Sequence, residues 1–526
     1  MNDQMTPDIK NPRLTFRDGG GLAYLRLSKW QRFLYKIARF FVMIPFFFKN
    51  LGIKIYQGCK KLVFKVRDEF VDVFNTFRYG DWKTRISFVI MGFGCFARKQ
   101  ILKGLLFFVF ELVFIFYMIF AGANWLSQIG TLGIQGREEI WNEEYGITTY
   151  VYHDNSFKIL LYSVLTIFFI VAFIYTWRAN IKQNRIAQQI LASGKQLRSN
   201  KDDVHSMIDD QFHKTLLALP TLGILVFTVM PIVFMVLIAF TNYDGSHDGL
   251  NKLFTWVGWE NFNTMFSWKS GSNAYSAAFG EILSWTLIWA FFATFSNYFL
   301  GMFVAIMINK KGIKLKKLWR TVLVLTIAIP QFISLLYVSK LFSDTGIILT
   351  FMRKYLGVSN SFSFIGTNAN KWVARFTIII INIWIGIPYL MLIATGILMN
   401  IPEDLYESAK IDGANVWQQY TKITLPYMLF ITGPYLLTSF IGNMNNFNVI
   451  YLLTGGGPTN PAASGASGSV GYTDLLITWL FKITMGANSE YKMASVIGIL
   501  VFIVSAGISL LVYNIMPSTR NEEDFQ

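Results

Sequence analysis

The sequence predicts an all-α fold: a polytopic membrane protein of about eight transmembrane helices. Three observations carry that reading. Hydrophobic residues make up 53% of the chain against 15% charged, the apolar residues fall in long uninterrupted runs, and lysines and arginines gather in alternate loops between the runs. Eight runs reach the roughly twenty residues that a helix needs to cross a bilayer: Ile101 to Gly122, Phe157 to Trp177, Leu216 to Phe240, Ile282 to Ile308, Val322 to Leu341, Val373 to Leu398, Tyr427 to Leu453 and Met493 to Ile515. The run Ile86 to Ala97 is too short and is broken by glycine, so an interfacial or elbow segment is expected there.

A formal net charge of +16 could suggest nucleic acid, but the basic residues are spread over loops and not over one soluble face, so no nucleic-acid partner is expected. They crowd the first hundred positions, Arg178 to Lys201 and Lys310 to Arg320, whereas the loop holding Glu138, Glu139, Glu143 and Glu144 is acidic. By the positive-inside rule both termini are expected in the cytoplasm, which eight crossings satisfy. Cys59 and Cys95 then share the cytoplasmic side and are expected as two inert thiols. The long charged N-terminus has no early apolar core, so the first transmembrane helix is expected to serve as the targeting signal.

In chain order, residues 1–100 read as a basic cytoplasmic or interfacial region with amphipathic helices. Residues 101–214 read as two additional membrane helices with their loops, 215–515 as a core of six, and 516–526 as a cytoplasmic tail. Met1 to Gly21 is polar. From Trp30 to Phe48, Phe33, Ile37, Phe40, Phe41 and Ile44 recur at helical spacing, with Arg32, Lys36 and Arg39 on another side, the pattern of a helix resting on a lipid bilayer; Ile53 to Phe77 repeats it. Glu111 is an acid inside the first membrane helix with no visible basic partner, expected to face another subunit or to carry a proton. Trp256, Trp259 and Trp268 suit an external interface, and Pro330 and Pro388 are expected to interrupt the fifth and sixth helices.

The most specific stretch is Pro402 to Pro426, the long polar interval of the C-terminal half. Pro402, Glu403 and Asp404 suit a first helical turn, where a missing N–H costs nothing and negative charge meets the helix dipole. Gly413 can adopt the left-handed conformation that ends the helix. Asn415 with Gln418 reads as the cap of a second short helix, which Leu425-Pro426 is expected to close. The helices on either side carry matched polar stripes: Asn382, Gly386 and Tyr389 at i, i+4 and i+7, then Ser439, Asn443 and Asn446 at the same interval. Buried amides need partners, so both stripes are expected to face an interior, neutral and amide-rich, suited to a ligand dense in hydroxyl groups; helix–helix glue is the alternative.

The register Glu407-Ser408-Ala409, three residues, Gly413, nine residues, Ile423-Thr424-Leu425-Pro426 resembles the EAA loop of ABC importer permease subunits at every defining position except Ser408. Asp404-Leu405-Tyr406-Glu407 with Asp412-Gly413-Ala414, Asn445-Asn446-Phe447, Leu452-Leu453-Thr454, Gly456-Gly457-Pro458 and Gly471-Tyr472-Thr473-Asp474-Leu475-Leu476 look like the maltose and maltodextrin permeases of the MalF type, over about residues 215 to 515.

The resemblance implies a MetI-like permease core in the C-terminal half and a place in the bacterial inner membrane. It implies coupling residues Glu407, Ala409, Asp412, Gly413, Ile423, Leu425 and Pro426, and a sugar site at Asn382, Gly386, Tyr389, Ser439, Asn443 and Asn446. The implied partners are a homologous MalG-like permease subunit, two ATP-binding subunits that use ATP and Mg, and an extracellular solute-binding protein. The implied substrate is a maltodextrin, with a galacto-oligosaccharide as the alternative. Two aromatics that the family pattern expects are Ile327 and Gly442 here, and its large external domain between helices three and four is absent.

Gly194-Lys195 is followed by Gln196, and no Gly-x-x-x-x-Gly-Lys-Ser/Thr occurs, so this chain alone is not expected to hydrolyse ATP; with no metal-ligand cluster, no paired acidic dyad and only four histidines, no other enzymatic activity, cofactor or metal is expected of it. An ion-coupled secondary transporter would need midplane carboxylates or charge pairs, and beyond Glu111 the helix interiors are expected to offer almost none.

Overall fold

The computed structural model describes residues 27–267, 274–310, 312–461, 470–486 and 488–515. Met1 to Gly21, Trp268 and the tail 516–526 lie outside them. Two compact units emerge, residues 1–117 with 169–216 and residues 118–168 with 217–526. Among the described residues eight helices are long and apolar enough to cross a membrane: Ile101–Ser127, Ser156–Ala192, Phe212–Ile238, Tyr275–Asn309, Gln331–Leu356, Lys371–Leu398, Val416–Met444 and Tyr491–Tyr513.

In the first unit, the two expected N-terminal segments are one helix, α1 (Lys29–Tyr79), opened by a capping box between Ser28 and Gln31. Pro45 sits inside α1 without ending it. The side chains expected to face lipid between Phe33 and Ile44 are outside the described set. The segment Ile86 to Ala97 is, as expected, no crossing: it makes irregular turns before α2 (Ile101–Tyr117). Such backbone needs outside hydrogen-bond partners, and α3 (Ser156–Ala192) supplies them from one face. Trp177 Nε1 donates to the Phe88 carbonyl (2.9 Å), the Gly92 N–H donates to Asn180 Oδ1 (3.0 Å), and Asn180 Nδ2 donates to the Ser87 carbonyl (2.9 Å). Glu111 belongs to the same arrangement: its buried carboxylate accepts the Met91 N–H at 2.8 Å. It faces this unit's own backbone and not another subunit, a partner that no side-chain pattern could reveal.

In the second unit an antiparallel hairpin, β1 (Arg137–Asn142) with β2 (Ile147–Tyr152), interrupts the all-α pattern in the acidic loop. Next comes α4 (Phe212–Ile224), which continues through a π-turn, Leu225–Val229, to Met230–Ile238. The spine of the unit is α5 (Ala274–Asn309), which runs through three successive cores. Ala278 and Ile282 pack with Trp479 of α12 (Leu476–Met485) and Ile497 of α13 (Tyr491–Ile515). Trp285, Trp289 and Ala293 pack with Leu335 of α7 (Gln331–Phe342), Ile378 of α8 (Lys371–Leu398) and Ile450 of α11 (Phe447–Thr454). Met302 and Ala305 meet Met391 of α8 and Met428 of α10 (Leu425–Met444). Glycines let α5 and α8 approach closely: a Cβ on Gly301 would lie 2.6 Å from Leu390 Cβ.

The prolines divide the helices differently from expectation. Pro330 does break the fifth run, leaving α6 (Lys316–Ala328) and α7 on either side of two extended residues. The fifth span then extends from Gln331 to Leu356, past a break at Ser343 to Gly346, and does not start at Val322. Pro388, by contrast, is buried inside an unbroken α8. Pro231 and Pro426 each follow a π-turn, Leu225–Val229 and Tyr420–Thr424. A proline ring strikes the carbonyl four residues back in a regular helix; for these two that carbonyl, on Phe227 and Lys422, lies within the widened turn, so the helix continues.

Candidate functional site

The Pro402–Pro426 interval folds from local rules. Helix α9 (Glu403–Ile411) begins after Pro402, with Glu403 and Asp404 in its first turn, and ends at Gly413, whose φ is +74°. The Ala414 N–H donates back to the Ala409 carbonyl at 2.8 Å and the Gly413 N–H to the Lys410 carbonyl at 3.0 Å. Asn415 and Gln418 then form a reciprocal capping box, both bonds 2.8 Å. The Tyr406 hydroxyl shares a 2.9 Å hydrogen bond with Thr424 Oγ1, tying the two arms together. Ser408, the one departure from Glu-Ala-Ala, turns its hydroxyl onto the Asp404 carbonyl of its own helix (2.7 Å).

One expectation fails here. Leu425-Pro426 does not close a second short helix, because Val416–Gln419, the π-turn and α10 are continuous. The arm after Asn415 is therefore the end of the seventh membrane helix itself. Glu407, Asp412, Gly413 and Pro426 are exposed, while Ala409, Ile423 and Leu425 are half-buried. At the apex Ile411, Val416 and Trp417 are 87%, 82% and 70% exposed, an uncovered apolar tip on a polar turn.

The two polar stripes meet α5, which the sequence reading left out of the site. Asn382 is buried, and Gly386 faces Asn297 of α5, whose Nδ2 would lie 2.3 Å from an added Cβ. Tyr389 is half-exposed. On α10, Asn443 Nδ2 donates to Thr294 Oγ1 of α5 (3.0 Å), and Asn446 Nδ2 donates to Asn443 Oδ1 (3.3 Å). Ser439 is partly buried on the same helix. Asn446 also ends α10 and caps α11, accepting the Val449 N–H at 3.2 Å, so the seventh run stops at Met444 instead of reaching Leu453. Asn446→Ala is therefore expected to cost about 1 kcal/mol of stability through the lost cap, read as a lower thermal midpoint, whatever its effect on ligand binding. Thr294 and Asn297 stand three apart in a mostly apolar part of α5, with Ser296 between them, the kind of polar interruption that marked the other stripes.

Charge gathers at one end of the sixth helix, away from its polar stripe. Arg375, in the second turn of α8, is buried; its Nε donates to the Tyr472 carbonyl (2.8 Å), its guanidinium lies 4.5 Å from the Trp285 ring centre, and Glu281 of α5 is 3.6 Å away. Glu281 also pairs with Lys371 and accepts from Asn460 Nδ2 (2.7 Å). These charges are matched across the ends of α5 and α8, a partnership invisible to hydropathy.

Comparison with known proteins decides the family. The description "Binding-protein-dependent transport system inner membrane component" matches residues 297–521. The maltodextrin transport system permease protein MalC of Streptococcus pneumoniae is 33% identical over 439 residues, 82% of this chain and 95% of that protein. The chain is a binding-protein-dependent transport permease. The permease is also similar to the galactooligosaccharides transport system permease protein GanP of Bacillus subtilis, 32% identical over 82% of this chain and 97% of that one. A chain of a bacterial ABC transporter involved in import of the acidic polysaccharide alginate matches at 21% identity and a TM-score of 0.48, covering 61% of this chain and 99% of that one. Membership of this family of transport components removes the ion-coupled secondary transporter as a reading.

Within the permease the run that carried the resemblance has a structural account. Asp474, fully buried, accepts from Lys482 Nζ and the Gly471 N–H (2.7 Å each) and from Thr478 Oγ1 (2.9 Å). Gly456 passes so close that its Cβ would lie 2.0 Å from Asp474 Oδ1. The family's two missing aromatics are half-exposed Ile327 on α6 and exposed Gly442 on α10, where an added Cβ would meet open space.

Proposed function

We propose that this permease is one of two membrane subunits of an importer that moves maltodextrin-type oligosaccharides, driven by ATP hydrolysis on two separate subunits. The observation that carries the reading is the turn around Gly413: a rigidly capped corner, uncovered at Ile411, Val416 and Trp417, continuous with the seventh membrane helix. A corner of that kind fits a cleft in an ATP-binding partner, and closure of the cleft would move α10 directly, because no loop intervenes. Glu407 and Asp412 supply charge beside the apolar tip. With both termini and this turn in the cytoplasm, a solute-binding protein would deliver sugar from the opposite side. The partner permease would complete the cavity, and residues 215–515 would act as the moving core.

The sugar would lie along Asn382, Tyr389, Ser439, Asn443 and Asn446, with Gly386 keeping α5 close. Amides both donate and accept, matching hydroxyl groups, and the half-exposed Tyr389 offers a ring face to a pyranose. Similarity to MalC and the Gly456–Leu476 run favour maltodextrin. Similarity to GanP and the missing aromatics at Ile327 and Gly442 favour a galacto-oligosaccharide as the second reading.

Uptake of each radiolabelled sugar by a strain lacking only this chain, complemented with wild type or Tyr389→Ala, tests the assignment. Loss of one stacking face, about 0.5–1.5 kcal/mol, is expected to raise the transport KM roughly two- to tenfold with assembly unchanged. Unchanged KM would remove Tyr389 from the sugar path, and restored uptake of galacto-oligosaccharide alone would replace the substrate.

A further inference from the structure

The N-terminal helix α1 has three chemically distinct sides. Its acidic side faces α3: Glu69 pairs with Arg178 (2.6 Å), and Asp72 pairs with both Arg178 and Arg185. Burial works to raise the Asp72 carboxyl, but the two guanidinium groups outweigh it and hold it below the usual carboxylate range. The pairing begins at Arg178, next to Trp177 where the apolar run of α3 ends, and reaches Arg185 two turns further along α3.

A second side is apolar and largely exposed, with Phe77 at its end packed edge-on against Phe88. Tyr56, Val63, Val66, Phe70, Phe74 and Phe77 recur at sums of three and four residues, one face of a helix, and are between 46% and 72% exposed. A third side borders it: exposed Lys49, Lys60, Arg67 and Arg78 stand eleven, seven and eleven residues apart, each close to a whole number of turns at 3.6 residues per turn. Arg67 pairs with exposed Asp68, and its guanidinium lies 5.0 Å from the Phe64 ring centre. An aromatic and aliphatic face edged by cations is the arrangement of a helix half-sunk among negatively charged headgroups.

We propose that residues 53–78 of α1 form a docking surface for anionic lipid headgroups, with the apolar row inserted between acyl chains and the basic row on the phosphates. A soluble protein docking there would have no need of a site beside Trp177, whereas a bilayer meets its headgroups where the apolar run of α3 ends.

The chain carries its own reporter. Cys59 is exposed, three residues after Tyr56 and four before Val63 on the apolar row. Cys95 is buried, and burial pushes its thiol up to about 11, so near neutral pH a nitroxide reagent labels Cys59 selectively. The full-length permease, labelled at Cys59, is placed in nanodiscs of phosphatidylcholine with or without phosphatidylglycerol, and the collision rates with oxygen and with a water-soluble nickel chelate are measured. Adding phosphatidylglycerol is expected to raise the oxygen rate and lower the nickel rate. Each basic residue at an anionic surface is worth about fivefold in partitioning (about 1 kcal/mol), so Lys60→Glu with Arg78→Glu is expected to abolish the lipid response. Nickel accessibility equal in the two lipids would overturn the proposal, and so would a label closed to oxygen and nickel alike in both lipids, which would place a protein on that face.

Discussion

Gly413→Pro is expected to lower ligand-stimulated ATP hydrolysis and uptake by roughly a hundredfold while leaving the membrane helices assembled. The left-handed φ of +74° at this position is closed to proline, whose ring fixes φ near −65°. The substitution also removes the N–H that bonds the Lys410 carbonyl. A local cost of about 3 kcal/mol depopulates the turn by about two orders of magnitude. A graded series separates backbone from bulk. No atom lies within 4 Å of the site of an added Cβ, so alanine meets no clash and bears only the left-handed strain, about 1–2 kcal/mol, with asparagine below it. The expected order of activity is glycine, asparagine, alanine, proline. Activity retained by the proline variant, or a loss in alanine as complete as in proline, would detach this corner from coupling.

Asp474→Ala is expected to destabilise the folded protein by about 3–5 kcal/mol, because a mostly buried ammonium on Lys482 loses its carboxylate while the Gly471 N–H and Thr478 hydroxyl lose their acceptor. Pairing it with Lys482→Met is expected to recover part of that loss, since an apolar replacement of both partners also removes the mostly buried ammonium. Gly471→Ala probes the same knot through sterics alone: its Cβ would fall 1.9 Å from the Gly456 carbonyl oxygen, a backbone atom that no side-chain rotation can clear. Thermal midpoints and the yield of folded protein in nanodiscs read all three. A single Asp474→Ala variant as stable as wild type would refute the reading of this cluster as the clamp of the loop between α11 and α12.

Much of this was legible along the chain. Periodicity and run length gave eight crossings because lipid demands about twenty apolar residues in sequence. The cap at Asn415 and the left-handed Gly413 were readable because both act over three or four residues. Other features were not. That Pro330 separates two helices while Pro388 lies inside one and Pro426 follows a π-turn in another could not be read from the prolines themselves. The Met91 N–H that meets Glu111 belongs to a segment twenty residues away, and the Glu281 partner of Arg375 belongs to another helix.

By itself, then, the sequence determined what is periodic or local: the membrane-spanning character, the capped turn at Gly413 and the polar residues that an apolar helix would not hold without reason. Tertiary structure alone decided that α5 stands between the two stripes, bringing Thr294 to Asn443 and Asn297 to Gly386, and that Asp474 closes on Lys482. The physical reason is distance along the chain. A cap or a hydrophobic period is satisfied within a turn or two, whereas a buried amide or carboxylate accepts any donor that folding brings to it, and the chain order does not say which one arrives.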